Sequence, residues 1–304
     1  MTVRTIHKVF GSRPTMEGAG VLVHRAFGLP HVPELDPFLL LDEFTSDIPE
    51  QYLPGFPFHP HRGFQTITYV LHGTVEHRDS LGNTGTIREG EVQWMTAGSG
   101  IIHQEMPKGD ESGLVQGYQL WLNLPASDKL MNPRYRGLKN EEIPSVVQDS
   151  RAVIRVIAGA LKNIRGPIQG IPTDPQLLDV TLSPKGVFSH RIPIGYTAIA
   201  YAMEGGAYFD DKREPYLHEV QGGSYYQYER EALIGPRHAI LYNDGDEVAI
   251  QAGAEGSRLL FMAGRPLNEP VAWGGPIVMN TEEELRTAFE EVRTGTFVKY
   301  DKTV

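Results

Sequence analysis

The 304-residue chain contains no cysteine. Disulfides, thiolate metal ligands and a cysteine nucleophile are therefore excluded, and any bound metal must be held by nitrogen and oxygen donors. Positive charge is also in short supply: 28 Lys and Arg stand against 38 Asp and Glu, for a formal net charge of −10. Direct binding to nucleic-acid phosphate needs a basic face that this balance does not supply, so no direct nucleic-acid contact is expected. Long apolar runs are missing too. No segment is apolar for long enough to cross a membrane, and the opening Met1-Thr2-Val3-Arg4-Thr5-Ile6-His7-Lys8 lacks the apolar core of a signal peptide. A cytoplasmic protein with no membrane contact is the expectation.

What the chain has in quantity is turn-forming residues, with Gly 33 and Pro 22, which favour many short strands over a helical bundle. Alternating or apolar runs recur at short spacing: Gln65 to Leu71, Glu91 to Met95, Gly117 to Leu122, Val153 to Ile157 and Phe188 to Ile192. They continue at Ala198 to Met203, Gly223 to Tyr228, Ala239 to Tyr242 and Arg258 to Met262. This pattern predicts an all-β fold of barrels or sandwiches. The length suits two domains, each able to bury a core. The least strand-like stretch near the middle is Asn132 to Asp149, with Pro133 and Pro144. We therefore expect an N-terminal barrel over 1–135, a linker over 136–149 and a C-terminal barrel over 150–304. The second barrel is expected to include a terminal helix at 281–294: Thr281-Glu282-Glu283-Glu284 forms a capping box, Leu285, Ala288, Phe289 and Val292 repeat at helical spacing, and Gly295 supplies a stop.

Chemistry concentrates in four residues of the first half. His59 and His61 form one ligand-X-ligand pair, and His103 and Glu105 form another. Residues two apart on a strand point the same way, so each pair can aim two donors at one spot. A lone pair of this kind is common by chance. Here, however, both pairs sit among strand-like segments and glycine turns, Gly63 and Gly73 near the first and Gly98 and Gly100 before the second. Three imidazoles and a carboxylate converging inside a barrel would suit Fe(II), Mn(II), Co(II), Ni(II), Cu(II) or Zn(II). The second half offers only His190, His218 and His238 with no pair at strand spacing, so a second metal site is not expected. His72, beside the Gly73 turn, and His77 are assigned structural or supporting parts.

The surrounding motifs resemble the pirins, of the two-barrel branch of the cupin superfamily. They include Leu35-Asp36-Pro37-Phe38-Leu39-Leu40-Leu41-Asp42-Glu43-Phe44, His59-Pro60-His61-Arg62-Gly63-Phe64 and His77-Arg78-Asp79-Ser80-Leu81-Gly82-Asn83. Val92-Gln93-Trp94-Met95-Thr96-Ala97-Gly98, Gly100-Ile101-Ile102-His103-Gln104-Glu105-Met106-Pro107 and Gln119-Leu120-Trp121-Leu122-Asn123-Leu124-Pro125 extend the likeness. Val156-Ile157-Ala158-Gly159 and Pro276-Ile277-Val278-Met279-Asn280-Thr281 carry it more loosely into the second half. The resemblance implies two tandem cupin (jelly-roll) β-barrels with a short C-terminal α-helix.

It also implies one divalent metal per chain, Fe(II), held by His59, His61, His103 and Glu105. The implied activity is a quercetin 2,3-dioxygenase that cleaves the central ring of a flavonol with O2 and releases CO, with Glu105 also acting as the base. Phe58, Phe64, Trp94 and Met106 are candidate apolar neighbours of the pocket mouth, although aromatic residues in a barrel are more often core. The rival is a metal-dependent regulatory protein acting through a protein partner. The segment Arg13 to Arg25 carries two Arg with His24, fewer basic residues than the eukaryotic relatives have there, which weakens that reading. A ligand-binding role without reaction is a third possibility. A two-barrel chain can satisfy internally the packing that single-barrel cupins obtain by dimerising, so a monomer is expected.

Overall fold

Alternation of buried and exposed side chains turns most of the predicted runs into antiparallel strands. The computed structural model describes residues 2–30, 35–219 and 228–299, with the backbone alone for 217–219 and 228–231. The run expected at Gly223 to Tyr228 falls, apart from Tyr228, outside the described residues. Two units account for the chain, one comprising Met1–Arg13 and Glu141–Pro266, the other Pro14–Asn140 and Leu267–Val304. No helix among the described residues is long and apolar enough to cross a membrane.

The unit of Pro14–Asn140 and Leu267–Val304 contains two sheets that form a jelly-roll. The larger runs in the order Arg134–Leu138, Val92–Thr96, Phe64–His72, Val115–Asn123, Phe38–Ser46, Val21–Phe27 and Arg13–Glu17. The smaller runs Phe56–His61, Ile101–Lys108, Thr74–Asp79 and Thr84–Ile87. Val21, Val23, Phe44, Val70, Val75 and Val115 bury one end of the interior, and the histidine pairs occupy another part of it. Glycine is required at Gly63, where φ is +85° and an added Cβ would stand 1.9 Å from the Val278 carbonyl oxygen.

The unit of Met1–Arg13 and Glu141–Pro266 is built on one large sheet, ordered Ile6–Gly11, His238–Tyr242, Thr197–Tyr208, Glu247–Gly264, Gln176–Leu182, Ala152–Ala158 and Ser145–Gln148, with Val187–Arg191 pairing off Glu247–Gly264. Its interior is apolar, with Val156, Leu178, Phe188, Ile250 and Phe261 at its centre. Each such side chain stabilises the unit by about 1.5–3 kcal/mol on burial.

The units are divided differently from the sequence expectation. The stretch 136–149 is not a free linker: Arg134–Leu138 pairs with Val92–Thr96, and Ser145–Gln148 pairs with Ala152–Ala158. The terminal segment, helix included, groups with the first jelly-roll rather than with 150–266. Edge pairing accounts for the two strands of the expected linker, because unpaired N–H and C=O groups at an edge recruit an extended segment that reaches them. The terminal segment is instead tied down by an isolated bridge between Arg62 and Ile277 and by the buried Arg62 and Lys129 side chains.

The helix Glu282–Thr294 has the expected capping box at Thr281 and Glu284 and ends at Gly295 in the left-handed region. Its stripe is only partly buried: Leu285 and Ala288 are covered, whereas Phe289 is 45% and Val292 38% exposed. Arg62 anchors the same segment. Its guanidinium pairs with Glu291 at 2.7 Å, donates to the Phe297 carbonyl at 2.8 Å and lies over the Phe297 ring.

Candidate metal centre

The strands Phe56–His61 and Ile101–Lys108 are neighbours, with His103 directly opposite His59 and Ile101 opposite His61. On Ile101–Lys108 burial alternates, so His103 and Glu105 face inward while Ile102, Gln104 and Met106 are half-covered. The result is a cluster in which one nitrogen each from His59, His61 and His103 lies within 4.8 Å of the others. Glu105 does not belong to that group. The register shift in this pairing falls on Phe56–His61, which has two residues, Pro57 and Phe58, opposite Gln104, whereas Ile101–Lys108 pairs without a shift to Thr74–Asp79.

Tautomers in the cluster follow from its hydrogen bonds. His59 Nδ1 meets the Pro57 carbonyl at 2.8 Å, and His61 Nδ1 meets the Pro276 carbonyl at 3.2 Å. A carbonyl only accepts, so each Nδ1 carries the hydrogen and each Nε2 presents a lone pair inward. His103 is fully buried, and both of its ring nitrogens lack a hydrogen-bond partner. Unsatisfied buried nitrogens of this kind cost about 1–3 kcal/mol each. A cation at the cluster removes that cost for the nitrogen that faces it, so the donor set fits a divalent metal. Burial, followed by repulsion from His59, holds the His61 imidazole well below its ordinary value. Burial, then His61, His59 and His77, does the same for His103. Both rings are thereby kept in the neutral form that coordinates.

Glu105 is held from the larger sheet. Its Oε1 accepts from Thr68 Oγ1 at 2.8 Å and its Oε2 from Gln119 Nε2 at 2.6 Å. Behind His103, the buried His77 ring stands 5.5 Å away. His77 Nε2 donates to Asp79 at 3.1 Å, and its Nδ1 accepts from Gln93 at 3.0 Å. Burial would raise the Asp79 carboxyl, but hydrogen bonds from His77, Asn83 and Leu81 bring it below its usual value. His77 is thus a fully bonded support, in line with the part assigned to it. His72 lies near Asp110 at the strand end.

A cavity of about 630 Å³ opens on His59 and His61, walled by Gln119, Trp121 and Trp273. The Trp121 ring packs 5.2 Å from His61 and 6.0 Å from Trp273. Arg25, which also lines the cavity, forms a two-pronged ion pair with Asp42 at 2.9 and 2.7 Å and reaches Glu17 at 2.7 Å.

Of the four apolar neighbours anticipated, Phe58 lines the cavity and is 59% exposed. Phe64 is buried against His61, Trp94 is bonded to Gln65 in the interior, and Met106 is half-covered and is not among the residues that line the cavity. Sequence reading missed Thr68, Gln119, Trp121 and Trp273. The i, i+2 spacing of Gln119 and Trp121 was a usable signal; nothing local pointed to Trp273. In the other unit His190 Nε2 bonds Gln176 and His238 Nδ1 faces the Gly235 and Pro236 carbonyls. The His218 side chain lies outside the described residues.

Comparison with known proteins matches these features. Residues 20–122 fit the Pirin family and residues 177–298 the Pirin C-terminal cupin domain. A pirin-like protein of Caulobacter vibrioides is 40% identical over 298 residues, covering 98% of this chain and 100% of that one. Human Pirin is 39% identical over 286 residues, covering 93% and 90%. The crystal structure of quercetin 2,3-dioxygenase from Acinetobacter baumannii superposes with a TM-score of 0.84 at 28% identity, covering 97% of this chain and 99% of that one. With both cupin domains matched and His59, His61 and His103 brought together in the first of them, the chain belongs to the pirin family.

Proposed function

We propose that this chain is an iron-dependent dioxygenase of the pirin type, which opens the central ring of a flavonol such as quercetin with O2 and releases CO. His59, His61, His103 and Glu105 would hold one Fe(II). The observation that carries this reading is the cavity of about 630 Å³ that opens directly on His59 and His61. That volume falls in the range of about 300–1,000 Å³ used by small-molecule sites. A cleft reaching the donors favours an enzyme over a protein whose metal acts only on a partner-binding surface.

The metal, when bound, supplies Lewis acidity toward the oxygens of the flavonol and a redox partner for O2. The protein's own residues do the rest. Trp121 and Trp273 offer aromatic surface along which a flat ring system can lie. Each Glu105 oxygen accepts one hydrogen bond, from Thr68 or from Gln119, and retains a lone pair that can take the 3-hydroxyl proton. Burial of His61, His103 and Glu105 excludes water from the inner end of the site.

The test is to load the protein with Fe(II) without O2, add quercetin, admit O2 and follow quercetin loss together with CO release, with His61→Ala as control. Metal-dependent release that the variant lacks supports the activity. Full iron occupancy with no quercetin consumed overturns it.

A further inference from the structure

The Gln119 amide is oriented from one side only. An indole has a hydrogen to give and no lone pair to accept, and Trp121 Nε1 donates to Gln119 Oε1 at 3.0 Å. The amide nitrogen is turned to the opposite side, where it donates to Glu105 Oε2 at 2.6 Å and lies 3.4 Å from Thr68 Oγ1. The Thr68 hydroxyl gives its hydrogen to Glu105 Oε1 at 2.8 Å. Gln119 and Thr68 are direct register partners on Val115–Asn123 and Phe64–His72. Both carboxylate oxygens are therefore gripped from the larger sheet, while the Glu105 backbone belongs to the smaller one.

The Glu105 carboxylate is not part of the group formed by the three imidazoles. Where that carboxylate stands is then decided by its two donors as much as by its own strand. We propose that Gln119, oriented by Trp121, is a positioning residue that sets the place of the Glu105 carboxylate beside the three imidazoles and so tunes metal affinity. The proposal rests on the metal-centre reading above and goes beyond it by naming the residues that aim the fourth donor.

Co(II) is the probe, because it resists oxidation and its visible spectrum reports its coordination. Its affinity and spectrum are measured for the full chain, for Gln119→Met, which keeps length and loses the amide, and for Trp121→Phe, which keeps a ring and loses the indole N–H. Each substitution is also made on a Glu105→Gln background. The expected result is a loss of about tenfold or more in Co(II) affinity for either variant when Glu105 is present. On the Glu105→Gln background the loss should shrink to within about twofold. The Co(II) spectrum should change only where Glu105 is present.

Equal losses on both backgrounds, or no loss on either, overturn the positioning role and leave the metal centre standing. Absence of Co(II) binding by the unmodified chain overturns both. Circular dichroism checks folding, and if Gln119→Met does not fold, Trp121→Phe carries the same test through the same amide.

Discussion

The Nε2 atoms of His59 and His61 stand 2.9 Å apart. When both rings are neutral, with each Nδ1 hydrogen facing a backbone carbonyl, of Pro57 and Pro276 respectively, their two Nε2 lone pairs face each other. Repulsion of that kind is relieved by a shared cation. The backbone has thus fixed the tautomers that metal binding requires.

Metal binding should therefore stabilise the fold. At free metal a hundredfold above its dissociation constant, the gain is about 2.7 kcal/mol. Thermal unfolding followed with and without chelator measures it, and His61→Ala should abolish most of the difference. An unmodified chain whose melting temperature ignores both metal and chelator would count against the site.

Glu105→Gln separates charge and proton transfer from shape. The Gln carboxamide can still lie between Thr68 and Gln119, but it cannot take the substrate proton. Turnover should fall by about 10²–10⁴, the usual contribution of a general base, with iron still bound through the three imidazoles. Single-turnover quercetin loss alongside iron stoichiometry checks this. Activity equal to the parent rules out the base role.

Gly63→Ala should destabilise the jelly-roll that carries the site by more than about 1 kcal/mol, since the position needs positive φ and the new Cβ would meet the Val278 oxygen. Lys129 makes relief by a shift difficult, because its buried ammonium grips the Gly63 and Val278 carbonyls and Asn123. Gly63 follows His61 by two residues, so metal uptake should drop in parallel. Denaturant unfolding and metal content are the measurements, and a variant unchanged in both contradicts the packing described.

The other unit should be acid-sensitive through His190. Burial lowers this imidazole from 6.5 to about 4. The unfolded chain therefore binds more protons than the folded one between those values. Stability is fully present above pH 6.5 and is lost as pH falls toward 4, by about 3 kcal/mol at about 1.4 kcal/mol per pH unit. His190→Phe, beside Phe188 and Phe261, should flatten the stability profile over that window. An unchanged acid slope in the variant would assign the sensitivity to other groups.

Much of this was legible in the sequence because it depends on local periodicity. Strand alternation made His59 and His61 share a direction, and likewise His103 and Glu105, and it located the runs that became Phe64–His72 and Val115–Asn123. The capping box at Thr281 and Glu284 was equally local. The helix periodicity specified which residues share a face and not how much of that face finds a cover; Phe289 and Val292 remain substantially exposed.

By itself, then, the sequence determined the chemistry available: nitrogen and oxygen donors in the absence of cysteine, paired at a spacing that strands convert into convergence. Tertiary structure decided how those donors are held. Pro276 fixes the His61 tautomer and Trp273 walls the cavity from more than two hundred residues away. Gln119 and Thr68, rather than its own strand alone, grip Glu105. Cross-sheet contacts of this sort depend on register, bulges and the pairing of distant edges, which follow from burying a whole interior at once and leave no trace in any short stretch of residues.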